Sequence, residues 1–125
     1  MIGRTLRGRR IVILEDDYFQ AHDCKAMLEQ AGAVVVAVSA TIPSLDGLLA
    51  KGPIDAVLID INLGDSVSFD FARLLVCNAI PFAFLTGYDA AMLPDDLAGR
   101  AYISKPADHA RVRAVLAEII ASRPG

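Results

Sequence analysis

Acidic side chains fall where apolar runs stop. Asp60 ends the run Ala56-Val57-Leu58-Ile59, and Glu15-Asp16-Asp17 ends Ile11-Val12-Ile13-Leu14. If the two runs are neighbouring parallel strands, both acid sets stand at the same carboxyl edge of a sheet, where open α/β folds bind their ligands. Carboxylates gathered there repel by about 4 kcal/mol per pair at roughly 4 Å and an effective dielectric near 20, so the cluster calls for a divalent cation. Two further strand ends deliver a hydroxyl and an ammonium. Thr86 follows Phe82-Ala83-Phe84-Leu85, and Lys105, with Pro106 behind it, follows Ala101-Tyr102-Ile103-Ser104.

The elements that must position these groups alternate along the chain. Arg10–Leu14, Ala33–Val38, Ala56–Ile59, Pro81–Leu85 and Ala101–Ser104 read as strands rich in β-branched or aromatic residues. Between the first two, Ala21, Cys24, Leu28 and Ala31 recur at helical spacing, with Asp17 as cap and Gly32 as left-handed stop. A short helix through Leu45, Leu48 and Leu49 ends at Lys51-Gly52-Pro53, a third covers about Ser68 to Asn78, and Asp108 caps a last one whose core face is Val112, Val115, Leu116 and Ile119. Between Asp89 and Gly99, Pro94 interrupts the helical pattern, so the fourth helix is expected to be short or irregular. Strands separated by helix-length crossovers imply a doubly wound five-stranded parallel sheet with helices on both faces. The order 2-1-3-4-5 sets the first strand beside the third and unites Glu15 and Asp16 with Asp60.

Composition narrows the class. With 125 residues, 54% apolar and 22% charged, the chain is a single globular domain with a full core. A net charge of −3 argues against a nucleic-acid surface, and Arg4, Arg7, Arg9 and Arg10 read as a solvated, frayed terminus. The apolar runs are far shorter than the roughly eighteen residues that span a bilayer, so no membrane partner and a cytoplasmic location are expected. Cys24 and Cys77 lack metal-ligand spacing and read as buried thiols; His22 and His109 lie on separate predicted helices without ligand spacing and read as surface or half-buried side chains, not ligands. Phe69, Phe71, Phe82 and Phe84 read as core.

An acid pair at the end of strand one, Asp at strand three, Thr at strand four and Lys-Pro at strand five, in this order and spacing, resemble the receiver domain of bacterial two-component response regulators, a flavodoxin-like fold. The resemblance covers about residues 10–121, leaving 1–9 as a basic extension and 122–125 as a tail, and the length suggests a stand-alone receiver. It implies that Asp60 is the phosphoacceptor, attacking a phosphohistidine on a histidine kinase or histidine phosphotransfer protein. Asp16, Asp60 and the backbone carbonyl of Asn62 would hold Mg²⁺, with Glu15 reaching it through water. Lys105 and Thr86 would share the charge of the phosphoryl oxygens, and the Lys105–Pro106 bond would be cis.

In the family the threonine and the aromatic three residues before the lysine form the switch, here Thr86 and Tyr102. The fourth helix, fifth strand and fifth helix, with Arg100, Arg111 and Arg113, would then meet a downstream protein partner, or the phosphate would pass onward; a homodimer is compatible with either. Asn62, Gly87 and Tyr88 occupy positions that bear on phosphate lifetime, and the bulk of Tyr88 is expected to slow hydrolysis. The chain departs from the family where Gly64 replaces a proline four positions after the acceptor, making that loop more permissive. Phe84-Leu85-Thr86-Gly87-Tyr88 approaches, without matching, the Phe-Ala-Thr-Gly-x-Tyr motif of some alphaproteobacterial receivers. Two alternatives stand beside this reading. A pseudo-receiver would switch without phosphate, but such domains lose part of the acid set that is complete here. A haloacid-dehalogenase-like phosphatase would need a proton-donating acid where Asn62 stands. The resemblance implies a phosphoacceptor with at most slow self-catalysis, not an enzyme.

Overall fold

The computed structural model describes residues 5–63, 66–67, 69–87 and 93–122. Strands β1 (Arg10–Leu14), β2 (Val34–Ser39), β3 (Ala56–Asp60), β6 (Phe82–Thr86) and β7 (Tyr102–Ser104) form one sheet in the order β2-β1-β3-β6-β7, with every neighbouring pair parallel. This is the 2-1-3-4-5 arrangement expected from the strand–helix alternation. Helices α1 (Tyr18–Gln30), α2 (Leu45–Leu49) and α3 (Phe69–Cys77) lie in crossovers between strands of this sheet, and α4 (His109–Ala121) follows β7.

The two-residue period of the strands divides the core between the faces of the sheet. Val12, Leu14, Val57, Ile59, Phe82 and Phe84 point to one side and pack with Leu45 and Leu48 of α2 and with Phe71 and Leu75 of α3. Ile11, Ile13, Ala56, Leu58, Ala83 and Leu85 point to the other, against Met27 and Leu28 of α1 and Val112, Val115 and Leu116 of α4. Because both faces are covered, β1, β3 and β6 are apolar throughout rather than alternating. Each large apolar side chain so buried contributes about 1.5–3 kcal/mol, which holds the strand ends in place.

Local signals end the helices where the sequence predicts. Asp17 Oδ1 accepts from the Gln20 backbone N–H at 3.0 Å, and Gly32 follows α1 with φ +91°. Ser44 Oγ accepts from Gly47 N at 3.3 Å to start α2. Asp108 occupies the N-cap position of α4 in extended geometry, but its side chain makes no capping bond. At β2 the register with β1 slips by one residue, so that Ile11 pairs Val35 while Val12 pairs Ala37. Val36 is therefore a bulge.

Two expectations need correction, and two further features were not expected. The chain before β1 is not frayed from Thr5 onward: Leu6 is buried in the core beside α1 and α4, and Gly8 N donates to Gly32 O at 2.8 Å. Cys77 is exposed rather than buried, because it sits on the outer end of α3. The loop after Asp60 holds an antiparallel hairpin, β4 (Asn62–Leu63) against β5 (Ser66–Val67). Gly64-Asp65 between two short runs was its sequence signal, although strands of two residues are too short to show periodicity. His109 does have a partner, Asp23, across the α1–α4 seam.

Residues 89–92 of the expected fourth helix lie outside the described residues; the described part of that region holds a 3₁₀ turn, Asp95–Leu97, with Leu93 and Leu97 buried. Arg73 of α3 grips this turn, its Nε and Nη2 donating to Asp96 at 2.7 and 3.2 Å while Nη1 donates to Asp70 at 2.8 Å. None of the described helices is long and apolar enough to cross a membrane.

Arg10 staples the start of β1 to the turn before β3. Its Nε donates to Pro53 O and its Nη2 to Lys51 O, both at 2.8 Å, and its backbone N–H donates to Asp55 Oδ2 at 2.8 Å. Gly52 stands inside this staple at φ +118°, where a β-carbon would lie 2.9 Å from Arg10 Nη2. Gly52→Ala is therefore expected to cost about 1–2 kcal/mol in a urea unfolding midpoint, and Gly47→Ala, which meets only ordinary contacts, is expected to cost less.

Candidate functional site

Strand register brings the predicted residues together. Leu14 pairs with Ile59, so Glu15 and Asp60 follow side by side on neighbouring strands. Asp60 pairs with Leu85, which puts Thr86 one step beyond on β6, and Thr86 pairs with Ser104, which puts Lys105 one step beyond on β7. Backbone bonds finish the edge: Ile61 N donates to Leu85 O at 3.1 Å and Lys105 N to Thr86 O at 2.8 Å. Among the described residues, the buried polar or charged side chains are Glu15, Asp60 and Thr86, exposed to 3%, 7% and 2%. Every one belongs to this edge.

Lys105 bridges the two buried acids. Its Nζ donates to Asp60 Oδ2 at 3.0 Å and lies 2.9 Å from Glu15 Oε1. The latter oxygen is buried, so its close partner is the ammonium. Glu15 Oε2 accepts from the Asp17 backbone N–H at 3.1 Å. Burial, then the hydrogen bond to Asp60, pushes the Glu15 carboxyl from 4.5 up to about 7, and Lys105 and the Asp17 amide only partly oppose this. Burial works against the charged form of Lys105, yet its bonds to Glu15 and Asp60 outweigh that and hold its pKa above the ordinary value. The ammonium is therefore fixed as a positive charge. The Lys105–Pro106 peptide is cis, as the resemblance implies.

Glu15, Asp16 and Asp60 each offer an oxygen, and these oxygens all lie within 4.8 Å of one another. Three carboxylates with neither imidazole nor thiolate form a hard-oxygen donor set suited to Mg²⁺. Asp17 stands apart as the cap of α1. Tyr102 is not drawn into the cluster and lies 36% exposed on β7. Asn62 opens the β4–β5 hairpin beside the acceptor strand, Gly87 follows Thr86, and Tyr88 lies outside the described residues.

No family model matches the sequence. Among solved structures, the fold is similar to the crystal structure of the response regulator PhyR from Brucella abortus, with 27% identity and a TM-score of 0.75 over 94% of this chain and 49% of that one. The solution structure of the receiver domain of the PhyR response regulator of Erythrobacter litoralis superposes with a TM-score of 0.82 at 21% identity, over 95% of both chains. The chain has the fold of response regulator receiver domains. A receiver protein from Sinorhizobium medicae matches over 96% of this chain and the whole of its own, with a TM-score of 0.74 and 22% identity. The sensor protein TorS of Escherichia coli is 30% identical over 95 residues, 76% of this chain but a tenth of that sensor. The chain thus spans about half of the first PhyR and a small part of TorS.

Sequence reasoning missed the contacts that flank the site. His109 Nε2 lies 2.6 Å from Asp23 Oδ2, joining α4 to α1 at one side of a cleft of about 500 Å³ that Glu15, Lys105, Cys24 and Met27 also line. The pair is separated by 86 positions, and nothing local announces it.

The raised Glu15 value gives a signed pH dependence. Between its unfolded value of 4.5 and its folded value of about 7, the native protein holds a proton that the unfolded chain has released, so stability falls as pH rises through that window and levels above it. Measured without divalent cation, Glu15→Gln should remove this slope, closing a gap on the order of 2 kcal/mol between about pH 4.5 and about pH 7.5. Equal slopes in parent and variant urea titrations would contradict the assignment.

Proposed function

We propose that this receiver accepts a phosphoryl group on Asp60 from a phosphohistidine of a kinase or phosphotransfer protein and serves in phosphorelay signalling as a cytoplasmic domain, not as a dedicated enzyme. The observation that carries the reading is the position of Lys105 Nζ between the Asp60 and Glu15 carboxyl oxygens, at 3.0 and 2.9 Å, on an edge that gathers every buried polar side chain among those described.

Each residue has a role in that transfer. Asp60 supplies the attacking oxygen: its bond to phosphorus forms as the phosphorus–nitrogen bond breaks, and the electron pair leaves with the imidazole. Lys105, kept charged by its two carboxyl partners, offsets negative charge on the moving group and holds the acceptor carboxylate in one orientation. The buried Thr86 hydroxyl, one residue beyond the partner of Asp60, is placed to hydrogen-bond a phosphoryl oxygen. Glu15, Asp16 and Asp60, with the backbone carbonyl of Asn62, would hold Mg²⁺, which when bound neutralises charge on the phosphoryl oxygens.

A phosphate on Asp60 adds close to two negative charges, enough to bias a two-state element separated by a few kcal/mol. Tyr102 stands on the outer surface of β7, from which an inward turn would start once Thr86 moves toward the phosphate. The neighbouring surface carries exposed Arg100, Arg111 and Arg113 and would present that change to a downstream protein.

Incubation with acetyl phosphate and Mg²⁺ should add about 80 Da, one phosphoryl group, to the intact mass, and Asp60→Asn should take up none. Lys105→Ala should slow labelling on the order of a hundredfold while remaining folded. An adduct that persists in Asp60→Asn would overturn the assignment, and turnover of p-nitrophenyl phosphate would favour a phosphatase instead. Saturating Mg²⁺ should raise stability by about 2.7 kcal/mol at a hundred times its dissociation constant, an increment that Asp16→Asn should largely lose.

A further inference from the structure

Resting on the phosphoacceptor reading, we infer that Asp23 and His109 are positioning residues for phosphoryl transfer, acting through Lys105 by tying the segment that carries it to α1. That segment, residues 105–109, has little beneath it. Pro106, Ala107, Asp108 and His109 are exposed, and Lys105, Pro106, Ala107 and His109 line the cleft of about 500 Å³ that Asp23 and Met27 of α1 also line. The segment spans a gap instead of resting on packed side chains.

Its two ends are fastened differently. At the first, the sheet ladder continues, with Lys105 N donating to Thr86 O at 2.8 Å. At the second, α4 lacks the usual fastening of a helix start: Asp108 in the N-cap position makes no side-chain capping bond, and the first turn holds no acidic residue. Asp23 supplies from α1 what α4 does not carry. His109 opens α4, and its Nε2 lies 2.6 Å from Asp23 Oδ2, which brings a carboxylate to the start of that helix. A carboxylate only accepts, so Nε2 carries the hydrogen whether or not the ring is charged. The tie therefore holds with either form of the imidazole.

The demand on Lys105 gives this tie its function. Nζ has to meet Asp60 Oδ2 at 3.0 Å and Glu15 Oε1 at 2.9 Å together, and the two acids stand at the ends of different strands. A shift of the backbone that bears the ammonium weakens one contact or the other, and misplacement by about 1 Å is enough to slow a reaction that depends on alignment. His109 stands four positions beyond Lys105, so releasing it loosens the segment where burial does not hold it. The two side chains of the tie are 44% and 68% exposed, so its loss is expected to slow transfer modestly and to leave the fold intact.

The test follows labelling of Asp60 by acetyl phosphate and Mg²⁺ through the intact mass. Asp23→Ala and His109→Ala should each slow labelling about three- to fivefold, with the urea midpoint and the stabilisation by Mg²⁺ at their parental values. His109→Gln, whose amide keeps an N–H donor, should recover most of the rate. A double-mutant cycle reads the route through Lys105: in a Lys105→Ala background, already slow, adding His109→Ala should change the rate by less than about 1.5-fold. Parental rates in both alanine variants, a glutamine variant as slow as the alanine one, or the same slowing with and without Lys105 would each overturn the positioning role and leave the acceptor intact. A parent that takes up no phosphoryl group would instead remove the acceptor reading and this inference with it.

Discussion

Two carboxyl groups, Glu15 and Asp60, are buried side by side at the end of adjacent strands, and much of the rest of the molecule is arranged around that burden. Such a pair is costly away from water unless charge or a proton compensates it. Lys105 reaches both from β7, two strands away from β3, and this works only if four strand ends are held level. The register across β1, β3, β6 and β7 does that, and the register in turn is held by apolar packing on both faces of the sheet. A one-residue slip in any of these strands would turn its side chains to the other face and withdraw its polar terminus.

The compensation is incomplete, and this gives the edge its chemistry. Burial, and after it the hydrogen bond to Asp60, outweighs the one ammonium, so the native protein keeps a proton on Glu15 at pH values where a free glutamate has lost it. Rigid strands carry these groups, while Tyr102, the expected mobile partner, stands on the short edge strand β7 where little covers it.

Much of this was legible because strand ends are simple to read. Apolar runs of four residues, each closed by a polar residue, marked β1, β3 and β6, a shorter run marked β7, and the polar residues at or just past these ends gather at the candidate site. Caps at Asp17 and Ser44 and the stop at Gly32 follow from local chemistry in the same way. What escaped depends on distance along the chain or on elements too short for a pattern. The Arg73–Asp96 grip joins residues 23 apart and His109–Asp23 joins residues 86 apart, and neither leaves a local trace. The β4–β5 hairpin has two residues on each side. Leu6 looked like part of a basic tail because its arginine neighbours outweigh one apolar residue, yet its burial ties the start of the chain to the α1–α4 face.

The bulge at Val36 has a consequence for life in a crowded solution. β2 is an outer strand of the sheet, free of charge and almost wholly apolar from Val34 to Val38, the kind of border that recruits strands from other chains. One surplus residue in mid-strand throws the ladder out of step and sharpens the local twist. An incoming strand would find its hydrogen bonds interrupted halfway, so the irregularity works as a built-in guard against sheet-to-sheet aggregation.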